Sequence, residues 1–443
     1  VTEATPADPT KHSGEDAPAP GVVPGRNTGQ AVPPPLSTAA TSPSPFRWVA
    51  LFGVWLIYAA FGMTVVSLAP LVPQIMSDLN IDHTGMGFVF GSWQLTYILA
   101  ALPCGVLLDR IGVRYGLLLG ALLITASSVL RSFAFDLTTM IAAVGVFGIG
   151  GPIVSTGAPK IVAQWFTGRE RGLAMGIYIT GPALGSMLAL STTHSVLLPL
   201  FEQNWRSVLL VWAGIMLASG LVWFLIASHE QVRTRDEPRT SGPQPSQLSV
   251  VRELLSLQSV RILLLMAVAI FALNHGLNNW LPEILRAKGM TAAAAGYWAA
   301  LPTLVGLVGS LTIPRLATPD WRYVFLIALG VLAFLSTLLL LSEPGMLLIA
   351  GLVLQGIARS SLMTIAILAL IETPGIGPKR AATASGMFFS AAEVGGASGP
   401  LLVGSIYSAT EAYEWSLMFL IGVSILLIAG ALRLNFISRQ KPA

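Results

Sequence analysis

The chain has 443 residues, of which 54% are hydrophobic and only 10% are charged, with a net charge of +4. Soluble domains carry about 25% charged residues, so this composition excludes a water-soluble enzyme and makes lipid the solvent for most of the chain. The cations lie between apolar runs, which marks them as topology signals and not as a nucleic-acid surface, and the single cysteine, Cys104, allows no disulfide within one chain.

Residues 1–45 are rich in Pro, Ala, Gly, Ser and Thr, without apolar periodicity, and are expected to form a disordered cytoplasmic tail with no signal-peptide core. Twelve apolar stretches follow, at 48–72, 85–108, 115–133, 137–162, 171–200, 206–228, 260–284, 292–314, 322–342, 345–371, 380–408 and 414–434. Most reach the roughly 20 residues that a helix needs to cross hydrocarbon, where backbone groups must be satisfied within the helix. Arg131 clips the end of the third stretch and is expected to snorkel to the interface.

The widest polar gap, 229–259, divides the chain into an amino-terminal six-helix bundle (46–228) and a carboxy-terminal one (260–436), followed by a short cytoplasmic tail at 437–443. An internal repeat supports the division. Gly176 and Gly185 in segment 5, which follow Arg171, match Gly386 and Gly395 in segment 11, which follow Arg380, and small residues at such positions let helices approach closely. With the amino terminus inside, most Lys and Arg fall in inner loops, so both termini are expected to be cytoplasmic, in a bacterial inner membrane.

The loop after segment 2 reads Gly105-Val-Leu-Leu-Asp109-Arg110-Ile-Gly112-Val-Arg114. It resembles the Gly-x-x-x-Asp-Arg/Lys-x-Gly-x-Arg signature of the major facilitator superfamily. The resemblance implies an all-α polytopic membrane protein with twelve transmembrane helices in two pseudo-symmetric six-helix bundles. It also implies a gating role for Gly105, Asp109, Arg110, Gly112, Arg114 and Arg171. More narrowly, Gly148–Gly185, Asn279-Trp280-Leu281-Pro282 and Ala392-Glu393-Val-Gly395-Gly396 resemble the cyanate permease and nitrate/nitrite porter relatives, a group of anion transporters. The chain departs from them in segment 1, which reads Ala60-Phe61-Gly62-Met63 where many cyanate permease relatives have Asn-x-Arg-Pro. Segments 2 and 8 lack the arginine pair of the nitrate porters.

Charges inside a membrane are costly and mark function. Arg359 lies in the middle of segment 10, one of the four segments (1, 4, 7 and 10) that line the central cavity in the superfamily. Its guanidinium fork suits a carboxylate or similar anion, or else an ion pair with Glu393 on segment 11. Glu393 is the only acid deep in a helix, and it either carries a coupling proton or serves as a structural partner. Segment 7 places Asn274 and Asn278 on one face and His275 and Asn279 on another; His275 is a candidate for solute binding and for proton transfer. Gln94 and Tyr58 are further candidates for the cavity wall.

No nucleotide-binding loop, hydrolase signature or Cys/His metal cluster occurs in the sequence. The expected protein is therefore no enzyme and needs no cofactor. It is a monomeric secondary active transporter that moves a small anionic solute by alternating access, in proton-coupled uptake. Its partners are the solute, protons and lipid, with no nucleic acid. Proton-coupled efflux of a drug or metabolite is the alternative, and a transporter-like membrane sensor is a third.

Overall fold

The computed structural model describes residues 45–166, 168–233, 247–374 and 376–440. The expected tail up to residue 44, linker residues 234–246 and residues 441–443 lie outside them. Twelve membrane-length helices follow one another, with no strand among the described residues. They are α1 (Phe46–Val66), α2 and α3 within the helical stretch His83–Ser132, α4 (Leu137–Trp165), α5 (Gly168–Thr192), α6 (Trp205–Ala227), α7 (Gln258–Ala287), α8 (Ala292–Leu316), α9 (Arg322–Leu339), α10 (Met346–Ile371), α11 (Gly377–Thr410) and α12 (Tyr413–Gln440).

Gly112 separates α2 (83–111) from α3 (113–132) at φ 77° and ψ 170°, a conformation that penalises any side chain. The chain reverses there. A Cβ added at Gly116 would overlap Leu108, although eight residues of straight helix span about 12 Å. The glycine of the signature loop thus has a backbone reason for its identity. The first apolar stretch is not one helix as expected. It stops at Val66, passes through a 3₁₀ turn (Ala69–Leu71) and resumes as a short helix (Val72–Leu79), because Pro70 and Pro73 have no N–H to continue the ladder.

Ten helical spans among the described residues are long and apolar enough to cross a membrane; α2 and α11 are not among them. Those two pack on each other across the molecule, and α11 carries Glu393 and a run of small residues. Around the circumference the pattern is the reverse of a soluble protein: Leu99, Leu225, Leu265 and Leu426 are exposed, while Gln94, Gln355 and Glu393 are buried. The expected snorkelling of Arg131 is not observed. Its side chain turns inward, is 2% exposed, and sits over the Phe147 ring.

Contacts group α1 with α5, α2–α3 with α4 and α6, and separately α7 with α11, α8 with α10, and α9 with α10 and α12. The glycines show that the two sets are built alike. A Cβ at Gly185 would overlap the carbonyl oxygen of Ala59 on α1, and one at Gly395 would overlap that of Val268 on α7. Gly148 on α4 abuts the backbone of Trp93 on α2 in the same way that Gly356 on α10 abuts Pro302 on α8. Backbone-to-backbone approach of this kind is possible only without side chains.

The halves meet at the end away from the described termini. There Gly87 and Gly91 of α2 lie against Pro400, Leu401 and Ala397 of α11, and Gly296 of α8 lies against Leu190 of α5. The Trp280 indole donates to the Pro400 carbonyl at 2.9 Å, and the Thr84 N–H donates to Ser408 Oγ at 3.0 Å. At the opposite end the described ion pairs include Arg47–Glu170 at 2.9 Å, within the first half, and Arg380–Glu253 at 2.8 Å, between α11 and the linker.

Candidate functional site

Between the halves lies a cavity of about 350 Å³, walled by α1 and α5 on one side and by α7, α8 and α10 on the other. Its wall runs from Ser310 and Met363, on the side of the described termini, to Val65 and Val66 at the far end of α1. Its volume falls in the range of small-molecule sites.

Arg359 is the cationic group of this cavity. Its Nη1 donates to Asn278 Oδ1 at 2.8 Å and its Nη2 donates to Thr303 Oγ1 at 2.9 Å. Both acceptors are neutral, so the fork is oriented but its charge is not compensated. The alternative of an ion pair with Glu393 is not realised, because no carboxylate among the described residues accepts from Arg359. Asn274, His275 and Asn278 all line the cavity, as the segment 7 pattern implies, whereas Asn279 points away and is 3% exposed. Thr303, Ser310 and Ser360 belong to the wall and were not singled out in the sequence. Thr303, Gly306 and Ser310 recur at helical spacing on one face of α8, a signal that was available.

Glu393 sits apart from Arg359, in a second polar cluster where α2, α7 and α11 meet. The carboxyl is 6% exposed, and its Oε2 has no hydrogen-bond partner. A Cβ at Gly396 would lie 3.0 Å from Glu393 Oε2, 3.1 Å from Gln94 and 3.4 Å from His275, so these three side chains surround one small residue. Gln94 is fully buried; its Nε2 lies 3.4 Å from His275 Nδ1, and its Oε1 lacks a partner. His275 therefore touches both the cavity and the Glu393 cluster. Trp93 stands edge-on to its ring at 5.7 Å. Gln94 and Tyr58 are not among the residues lining the cavity. Tyr58 instead stacks on Phe61 at 5.7 Å and tilts against Tyr178 at 5.3 Å.

Of the expected gating residues, Gly112 makes the turn described above, and Gly105 faces open space. Arg110 is exposed. Arg114 donates to Ser228 Oγ at 2.9 Å and is sandwiched between Tyr115 and Phe224 at 4.9 and 4.8 Å, which ties α3 to the end of α6. The side chains of Asp109 and Arg171 lie outside the described residues. Among the described residues no group of His, Cys, Asp or Glu side chains is placed to hold a metal ion.

The family model of the Major Facilitator Superfamily matches residues 50–344. Among curated proteins, the uncharacterized transporter YycB of Bacillus subtilis (strain 168) is 24% identical over 85% of this chain and 90% of its own length. The probable galactarate/D-glucarate transporter GudP of the same organism is 24% identical over 91% of this chain and 96% of its own. Among solved structures, a bacterial homolog of the human lysosomal transporter Spinster, crystallised inward-facing and unoccupied, superposes with a TM-score of 0.69. It is 17% identical and covers 91% of this chain and 100% of that one. With two matched sets of membrane helices around one cavity, and a family match over most of its length, the chain belongs to the Major Facilitator Superfamily and is a multi-pass membrane transporter, not an enzyme.

Proposed function

We propose that this protein takes up a small organic anion, of the sugar-acid class, by proton-coupled alternating access, with Arg359 as the principal contact for the solute carboxylate. The observation that carries this reading is the guanidinium in the cavity, held by Asn278 and Thr303 with no acid among the described residues paired to it. A half-buried cation without a counter-charge is less favourable alone than with an anion bound. The name of the GudP relative adds the chemical class. In this reading the two halves, 46–228 and 260–436, rock about the site. The contacts between α2 and α11 and between α5 and α8 form the closed outer gate, and the cavity faces the cytoplasm of a bacterial cell, where both termini lie. Asn274 and Asn278 orient the solute hydroxyls, and Asp109, Arg110 and Arg171 act at the inner gate.

The test is ligand-induced thermal stabilisation of the purified protein with galactarate, D-glucarate, D-gluconate and neutral galactitol. The acids are expected to raise the unfolding midpoint in a concentration-dependent way, galactitol is not, and Arg359→Gln removes the response. Equal shifts with galactitol, or an undiminished response in the variant, would rule the reading out.

Proton coupling is assigned to Glu393, relayed through His275, which borders both the carboxyl cluster and the cavity. Glu393→Gln keeps the shape and removes the titratable group. It is expected to abolish uptake driven by an inward proton gradient while preserving solute exchange across proteoliposomes, which needs no net proton movement. Gradient-driven accumulation that survives in the variant would place the coupling group elsewhere.

A further inference from the structure

Arg131 is a second cation without a counter-ion among the described residues, and the site described above does not use it. It is 2% exposed, near the end of α3. Its Nη1 donates only to the Thr64 carbonyl, at a long 3.3 Å, and its Nε has no partner. The Phe147 ring lies 5.4 Å from its Cζ, and no carboxylate among the described residues pairs with it. A cation–π contact contributes about 2 kcal/mol when desolvated, whereas the net penalty for burying an ion is several kcal/mol. As a packing element alone, this side chain is a poor choice.

Its surroundings point to another use. Arg131 borders a small void of about 10 Å³, together with Val65, Trp93, Phe147 and Asn279. Val65 also lines the cavity of Arg359, and Trp93 stands against His275 of that cavity. Val65 and the Trp93–His275 contact thus form a layer that borders both spaces. Arg359 lies on the open side of this layer, and Arg131 lies on the side sealed by α2 against α11 and by α5 against α8. Asn279 belongs to the second half, so the void straddles the boundary along which the halves would part.

We propose that Arg131 is a second contact for the anionic solute, engaged when the end sealed here is open and handing the anion past Val65 and Trp93 to Arg359. This rests on the anion-transporter function proposed above. Parting the halves exposes the guanidinium to the outer vestibule, where it attracts an anion that supplies the hydrogen bond its Nε lacks here. Its burial in the present state clears the station once the anion has moved on.

The experiment measures concentration-dependent uptake of radiolabelled galactarate and D-glucarate into cells carrying wild type, Arg131→Gln, Arg131→Lys, Arg131→Met or Arg359→Gln, with the amount of protein in the membrane measured for each. For Arg131→Gln the apparent KM is expected to rise about tenfold or more, the loss of one charge-assisted hydrogen bond, with Vmax per molecule within about twofold. Arg131→Lys should recover part of the loss. The detergent-solubilised Gln and Met forms should unfold no earlier than wild type, because a buried uncompensated charge has been removed; Met carries the test if Gln does not reach the membrane. A merely structural role predicts the opposite pattern: lower yield and Vmax at unchanged KM. A folded Gln or Met form with KM within about twofold of wild type overturns the assignment, and if Arg359→Gln still fails in the same assay, the overturned claim is Arg131 alone. Normal uptake by Arg359→Gln, or none of either acid by wild type, instead overturns the function on which the assignment rests.

Discussion

Arg359→Gln is expected to lower sugar-acid uptake at least about 100-fold while leaving the protein folded. The guanidinium supplies a planar pair of donors and a permanent charge, and each charge-assisted hydrogen bond contributes about 1.5–3 kcal/mol. Losing two of them from the solute complex accounts for the expected factor. The apo protein should suffer little. Gln still reaches toward the side chains of Asn278 and Thr303, which now hold the fork at 2.8 and 2.9 Å, and the charge that is removed has no counter-ion to strand. Arg359→Lys keeps the charge and loses the fork, so it should retain intermediate uptake, about tenfold below wild type. Measuring transport beside unfolding temperature separates these outcomes: a variant that fails in both would make Arg359 a structural residue.

Gly185→Val and Gly395→Val are expected to prevent recovery of folded, monodisperse protein. Each position presses on a carbonyl of the neighbouring helix, Ala59 on α1 and Val268 on α7, and backbone cannot move aside as a flexible side chain can. Overpacking a well-packed contact costs about 1–3 kcal/mol. Here an entire helix pair must separate, which takes the effect to the upper end. The control is internal. Gly214 on α6 and Gly422 on α12 face open space within 4 Å, so Ala there should be tolerated and stabilise slightly, by up to about 1 kcal/mol through helix propensity. Elution profiles and unfolding midpoints of the four variants check the contrast. Folded Val variants at both tight positions would mean that the helix pairs are looser than described.

The count and order of the twelve helices were legible in the chain because most of them carry a local property, a run of apolar side chains long enough to span lipid. The paired glycines of segments 5 and 11 were legible for a related reason: a duplicated fold repeats its close contacts at matching positions. Residue type and depth along a helix also marked Arg359, Glu393 and the segment 7 triad Asn274, His275 and Asn278 as unusual, since a polar group in hydrocarbon announces itself. Which polar groups meet was decided by tertiary structure alone. Arg359 took Asn278 and Thr303, from α7 and α8, and left Glu393 to Gln94 and His275, from α2 and α7. Arg131 looked like an interfacial arginine from its place at a segment end, and only the packing of α1 and α4 against it turned it inward. The physical cause is common to these cases. Hydropathy reports how deep a residue lies along its own helix, whereas the partner a side chain finds depends on the rotation and crossing of helices far apart in the chain.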